Sequence, residues 1–350
     1  MVRRLSIGLL AMAFAIGPLP ANAKDGSAED LGDVMSISLR DVVKPTIGLK
    51  GSLQGAGTPN QLGIGGFIPL SVGENSVWFL DALVNVNFGD RSRYSSIGDT
   101  LVSGTTLSSS TRLGYRWLSD NRSWMYGINA GYDTRQLATG DTTNSLPIYA
   151  SKSVLFHQAT VNLEAKNRQF GISAYGLIPF GKYGYGSGNV AKINHFYGAS
   201  PLTTAGADVS YRPLPDFVIS GGYYYQYSEK EGHKFLGYPD GSGFKARVGY
   251  EFNNNTQAGI TYTYDDNFDS RVSADIKISF GGVSNPKSPN SVVILALAES
   301  PSYRNIRVAN NRYRQPGPPR RPPGGGSNSC PPRPGANRPG ANRPGANRPG

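Results

Sequence analysis

The chain has 350 residues, three histidines, one cysteine and a formal net charge of +11, with room for one large domain plus appendages. Residues 301–350 hold ten arginines and no acid; without these and Arg3 and Arg4 the remainder carries 23 basic and 24 acidic residues, so the overall charge gives the body of the chain no claim on nucleic acid. The lone Cys330 excludes an intrachain disulfide, and the absence of any run of about 18 apolar residues excludes a helical membrane protein.

Residues 1–23 read as a signal peptide: Arg3 and Arg4, an apolar run from Ile7 to Ile16, then Ala21-Asn22-Ala23 as a small-residue cleavage site. No cysteine near that site offers a lipid attachment point. Residues 24–44 form a short polar lead-in without clear periodicity.

From 45 to 281 the pattern changes to alternation of large apolar residues with small or polar ones, the mark of extended strands with two different solvents on their faces. Phe244 to Phe252 shows it most plainly: Phe244, Ala246, Val248, Tyr250 and Phe252 share one parity, Lys245, Arg247, Gly249 and Glu251 the other. Twelve strands are expected at 45–53, 61–70, 76–88, 107–118, 122–133, 153–165, 169–180, 202–212, 216–228, 242–252, 256–266 and 270–280. In the third, Phe79 and Leu83 break the pattern by sharing a parity with Asp81, Asn85 and Asn87. Aromatics gather near the ends of the apolar faces, as interfacial girdles require.

The connections alternate. Short ones such as Gly73-Glu74-Asn75, Ser119-Asp120-Asn121, Lys166-Asn167-Arg168, Leu214-Pro215-Asp216 and Asn253-Asn254-Asn255 are interleaved with long polar ones near 89–106, 134–152, 181–201 and 229–241. Outer-membrane barrels place short turns in the periplasm and long loops outside. The fold expected is therefore all-β: a 12-stranded antiparallel transmembrane β-barrel in the outer membrane of a Gram-negative-type cell, both its ends periplasmic. Closure leaves no unpaired strand edge, so no disulfide is needed to hold it.

Beyond the barrel, 282–314 reads as a linker containing a brief apolar stretch, Asn290 to Ala298, with helical potential. Residues 315–350 are mostly Pro, Gly, Arg and Asn and end in three copies of Gly-Ala-Asn-Arg-Pro. With almost nothing apolar to bury, this tail is expected to be disordered or polyproline-like.

Several segments, in this order, carry a resemblance: Thr111-Arg112-Leu113-Gly114-Tyr115-Arg116-Trp117, then Trp124 to Asp133, Val161-Asn162-Leu163-Glu164, Gly171 to Pro179, Ala207 to Pro213 and Gly249-Tyr250-Glu251. The region from about 45 to 310 resembles the barrel of the inverse autotransporters, the intimin and invasin family. That resemblance implies a twelve-stranded barrel whose linker threads the pore and exposes a C-terminal passenger. Arg304 and Arg307 of the linker are then candidates to pair with the lumen acids Asp81, Glu164, Asp208 and Asp275; the plain alternative makes them part of a basic tail. The adhesin domains and the peptidoglycan-binding module of the family have no counterpart in this sequence, so anchoring or display of a short peptide is the part of the family's function that carries over.

Arg112, Arg116, Asp81, Glu164, Asp208, Lys245, Arg247, Glu251, Asp275 and Lys277 fall on the inward parity. They either set the selectivity of a channel or pair among themselves around a plug. The histidines His157, His195 and His233 lack metal-site spacing, and neither a cofactor nor a metal is expected. Loop histidines with Asp133, Asp265 and Asp266 are the groups a barrel hydrolase would use; a solvated rim accounts for them as well, and no enzyme is expected. Tyr223, Tyr224, Tyr225 and Tyr227 read as girdle and wall packing. The spaced arginines Arg333, Arg338, Arg343 and Arg348 suit polyanions such as lipopolysaccharide phosphates or surface glycans, or serve only as spacing. Partners are thus outer-membrane lipid, the barrel-insertion machinery and surface polyanions, with no nucleic acid. The functional expectation is a barrel that anchors or displays its C-terminal segment; the alternative is a small diffusion channel with a periplasmic tail.

Overall fold

The computed structural model describes residues 37–312 apart from breaks at 54–56, 89–104, 139–141, 144–145, 148–152, 182–190, 193–196, 228–239, 254 and 282–290. The expected signal peptide, most of the lead-in, His195, His233, Cys330 and the tail arginines Arg333, Arg338, Arg343 and Arg348 lie outside the described residues.

Twelve strands close into one antiparallel barrel. They are β1 (Thr46–Ser52), β2 (Gln61–Val72), β3 (Ser76–Asn87), β4 (Thr106–Leu118), β5 (Met125–Ala138) and β6 (Ser153–Lys166). The second half comprises β7 (Phe170–Phe180), β8 (Thr203–Leu214), β9 (Phe217–Tyr227), β10 (Gly241–Asn253), β11 (Thr256–Asp265) and β12 (Asp269–Gly281). Each strand pairs with its chain neighbours, and β1 pairs with β12 to close the cylinder from Thr46 opposite Gly281 to Ser52 opposite Asp275. Among the described residues no helix is long and apolar enough to cross a membrane.

The alternation fixes which face is which. Val272 and Ile260, outward on their strands, are 68% and 60% exposed, while Phe79 and Arg112 on the inward parity are fully buried. A wall of this kind is stable only against hydrocarbon, because that much apolar surface left in water forfeits roughly 25 cal/mol for each Å² it could have buried. Outward aromatics stack at both ends: Trp78, Tyr115, Trp117, Tyr126 and Trp124 in a chain beside the short turns, and Tyr132, His157 and Phe180 beside the long loops. His157 belongs to this second girdle, its Nδ1 lying 2.6 Å from the Tyr132 hydroxyl.

Two of the short turns are closed by asparagine. Asn167 Oδ1 accepts from the backbone N–H of Gln169 and Phe170 at 2.8 and 2.6 Å, and Asn253 Oδ1 from that of Asn255 at 2.9 Å, local bonds that stand in for the interrupted ladder. Arg122 reaches from the β4–β5 turn to the Glu74 carbonyl, the Asn75 side chain and the Ile37 carbonyl.

Three elements depart from the expected layout, one of them a small hairpin of Thr142–Thr143 with Leu146–Pro147 inside the expected loop 134–152. The described part of the lead-in contains a helical turn, α1 (Leu39–Val42), whose Leu39 and Val42 are buried with the following Val43. One turn is too short to show as periodicity in a sequence. A small sheet of Ala191–Lys192, Tyr197–Pro201 and Val308–Arg312 stands at the long-loop end, joining a loop to the segment after the barrel.

A charge on the outward face tests the lipid assignment. Val161→Arg, midway along β6, is expected to cost about 2–4 kcal/mol in equilibrium unfolding from phospholipid vesicles. A loss no greater in vesicles than in a water-soluble reference barrel speaks against a lipid-facing wall.

Candidate functional site

The interior of the barrel holds the chain's own residues 291–312. They begin as the short helix α2 (Ser291–Leu295) with a 3-10 turn over Ala296–Ala298, continue extended, and end in the strand Val308–Arg312. At the short-turn end Val293, Ile294, Ala296 and Leu297 pack on Phe67, Val77, Phe79, Leu118 and Met125 and on the buried face of α1. Phe79, which breaks the alternation in sequence, does so because it faces this helix rather than water. It lies 5.1 Å from Phe67 and carries the Arg116 guanidinium 4.6 Å from its ring.

Arginines of the wall then meet carbonyls of the segment one after another. Arg116 donates through Nη1 to the carbonyls of Leu297 at 2.9 Å and Glu299 at 2.6 Å, where the 3-10 turn ends and cations are favoured, while its Nε pairs with Glu164 at 2.8 Å. Lys166 pairs with Glu299 at 2.5 Å. Arg112 holds Asp133 through two bonds of 2.7 and 2.9 Å and donates to the Tyr303 carbonyl at 3.0 Å; Gln158 and Thr160 complete the shell of Asp133. Arg135 donates to the carbonyls of Ile306 at 2.7 Å and Gly57 at 2.6 Å. Such charge-assisted and bidentate bonds are stronger than neutral ones, which matters where desolvation is largest.

The segment returns contacts of its own. Arg304 pairs with Asp81 at 2.5 Å and donates to Ser110 at 3.1 Å. Tyr303 stacks on Tyr175 with ring centroids 3.9 Å apart, its hydroxyl bonded to Asp208 and to Ser173, and Lys245 lies over both rings while pairing with Asp208 at 2.7 Å. Arg307 sits 4.4 Å over the ring of Tyr224, whose hydroxyl donates to Asp265 at 2.6 Å. At the long-loop end Ile306 and Val308 pack on Leu137, Phe156, Ala191 and Ala199, and Val308–Arg312 adds as a strand to Tyr197–Pro201.

Two glycines give this arrangement its room. A Cβ on Gly131 would stand 2.8 Å from Arg112 Nη1. Gly57, at φ +72°, turns its carbonyl to Arg135 and to the Val308 N–H, and a Cβ there would meet the Phe268 ring at 2.5 Å.

The residues expected inside are distributed as follows. Arg112, Arg116, Asp81, Glu164, Asp208, Lys245, Arg247 and Asp275 are in ion pairs within the lumen, Arg247 with Asp275. Glu251 pairs with Arg212 at 2.9 Å beside the Asn253 turn. Lys277 faces inward without an ion pair among the described residues. Of the linker arginines, Arg304 meets a carboxylate and Arg307 an aromatic face. Tyr224 turns inward, unlike its girdle neighbour Tyr223. The sequence reading missed Arg135, Tyr175, Tyr303, Lys166 and Glu299. Inward-parity Phe79 and Leu83 were the available signal, since an apolar side chain on a polar face implies an apolar partner inside. Asp133 and Asp265 are held by Arg112 and Tyr224.

No protein-family model matches the sequence, and no curated protein matches it significantly. Solved structures match in fold. One from work on the in-meso crystallization of membrane proteins superposes with a TM-score of 0.52 over 77% of this chain and 99% of its own, at 11% identity. The COG4313 outer membrane channel from Pseudomonas putida F1 is similar over 68% of this chain and 96% of its own, with a TM-score of 0.44 and 13% identity. The NanC porin is similar over 67% and 99%, with a TM-score of 0.40 and 10% identity. At such identities the likeness concerns architecture alone: a closed twelve-stranded antiparallel barrel with an apolar outer face.

Two substitutions test how the segment is held. Asp81→Asn leaves the Arg304 guanidinium buried without its carboxylate and is expected to cost about 3–5 kcal/mol in denaturant unfolding, most of it recovered by adding Arg304→Met. A double variant no more stable than Asp81→Asn alone refutes the pairing. Phe79→Ala, which empties the apolar seat of α2, is expected to cost about 3–5 kcal/mol and to open residues 291–298 to protease.

Proposed function

We propose that this protein is an outer-membrane anchor of inverse-autotransporter type that carries its own C-terminal segment through the barrel and presents residues 313–350 at the cell surface. One observation carries the reading. Contacts of the segment climb from one mouth to the other, Leu297 on Arg116, Tyr303 on Arg112 and Ile306 on Arg135, so the chain enters at the short-turn end and leaves at the long-loop end. In outer-membrane barrels the short turns are periplasmic and the long loops external. A chain that leaves at the long-loop mouth leaves toward the outside.

The work of such a protein is mechanical and requires no catalysis. The segment that follows is rich in Pro, Gly and Arg, and its spaced arginines Arg333, Arg338, Arg343 and Arg348 suit phosphates of lipopolysaccharide or acidic glycans at that surface. The second reading, a diffusion channel, draws on a cavity of about 580 Å³ left between the segment and the wall from β7 through β12 to β1. The barrel interior is otherwise occupied by paired charges and by the segment itself, which favours the anchor.

An epitope tag after Gly350 separates the two. Labelling of intact cells is expected on the anchor reading, and labelling only after permeabilisation contradicts it. In planar bilayers, deletion of residues 285–350 is expected to raise conductance several-fold; unchanged conductance means that the segment does not obstruct the lumen.

A further inference from the structure

The seam that closes the barrel brings two lysines face to face. Lys50 of β1 and Lys277 of β12 are register partners, both on the inward parity between outward residues such as Leu49 and Ile276. Like charges directly opposite on a sheet destabilise it, and the acids near this pair are already engaged. Asp275 is held by Arg247, Glu299 by Lys166, Asp81 by Arg304 and Asp208 by Lys245. Among the described residues neither Lys50 nor Lys277 has an ion pair or a hydrogen bond of its own.

Both lysines line the cavity of about 580 Å³ beside the C-terminal segment. Neutral donors flank them on the same wall: Gln257, register partner of Lys277 on β11, and Ser279, the next inward residue of β12. Gly48, the next inward position of β1 and register partner of Ser279, carries no side chain; a Cβ there would stand 3.1 Å from the Ile278 carbonyl and 3.7 Å from Ser279 Oγ. The wall thus offers two ammonium groups, an amide and a hydroxyl, and the carboxylates nearest the lysines are each bonded to another cation.

We infer that Lys50 and Lys277, with Gln257 and Ser279, form a binding site for a phosphate-class oxyanion inside the barrel. Several oxygens on one anion can accept from both ammonium groups at once and from the neutral donors beside them, which a monatomic anion cannot do. The cavity exceeds the volume of a bare phosphate, so a phosphomonoester of a small sugar fits the same chemistry. This site stands apart from the display reading: the carbonyls and carboxylates that hold residues 291–312 do not use either lysine.

The test uses the full chain in a zwitterionic detergent at low ionic strength, titrated calorimetrically with inorganic phosphate and separately with a hexose phosphate. Saturable binding of at least one is expected, weakened tenfold or more by Lys50→Gln and by Lys277→Gln and unaffected by Lys44→Gln outside the lumen. Binding of the ester alone assigns the phosphate group to a sugar; binding of both assigns it to free phosphate. Phosphate or the ester should also raise the thermal midpoint of the wild type and leave that of the Lys50→Gln/Lys277→Gln variant unchanged, provided that variant keeps the heat-modifiable migration of a folded barrel. No binding by the wild type, equal binding by the lysine variants, or equal weakening by Lys44→Gln overturns the assignment.

Discussion

A guanidinium inside a closed strand cylinder has few ways to be satisfied, and most of this interior follows from that constraint. The backbone of the wall is largely committed to its own ladder, so Arg112, Arg116 and Arg135 draw most of their acceptors from elsewhere, Arg112 also reaching the Thr111 carbonyl at 2.7 Å. Each combines acceptors from two sources: Asp133 or Glu164, or the Gly57 carbonyl, from the barrel, and a free carbonyl of the segment 297–306. An extended chain with its carbonyls unpaired supplies those acceptors at regular intervals. The wall needs acceptors and the segment needs donors, and each need is met by the other.

Apolar contacts then decide where the segment stops and starts. The seat of α2 on Phe67 and Phe79 at one mouth and that of Ile306 and Val308 on Leu137 and Phe156 at the other are dry clusters at the two ends of a polar ladder. Hydrophobic burial is non-directional and hydrogen bonding is directional. The ladder accordingly sets register, while the seats supply affinity. The strand added by Val308–Arg312 to Tyr197–Pro201 fixes the exit by main-chain bonds. The opposite wall, β7 to β12 with β1, makes fewer contacts with the segment, and its charges either pair across strands, as Arg247 does with Asp275, or face the cavity, as Lys50 and Lys277 do.

How much was legible in the sequence varies with the kind of interaction. Period-two alternation is local, so all twelve strands could be placed, eleven within about two residues and the fifth, which runs on to Ala138, five short of its end, and Phe244 to Phe252 faces lipid and lumen as its parity requires. Inward charge was legible for the same reason, which is why Arg112, Arg116 and Asp208 could be named in advance. Tyr175 and Tyr224 were not, because an aromatic on a strand reads as girdle unless its parity is weighed against its neighbours. α1 was missed because Leu39, Val42 and Val43 complete too little of a helix to repeat.

By itself the sequence determined the strand count, the two faces of the wall, the alternation of short and long connections and the basic composition of the C-terminal end. These depend on residues within a dozen positions of one another. Only the tertiary structure decided that Arg304 meets Asp81 across 223 positions, that Arg307 rests on Tyr224 rather than on a carboxylate, and that Lys50 is opposed by Lys277. Those outcomes depend on where the cylinder closes and on which inward side chains stand at the same height once it has closed. No spacing along the chain encodes that height, because strand stagger and the path of the segment through the lumen set it together.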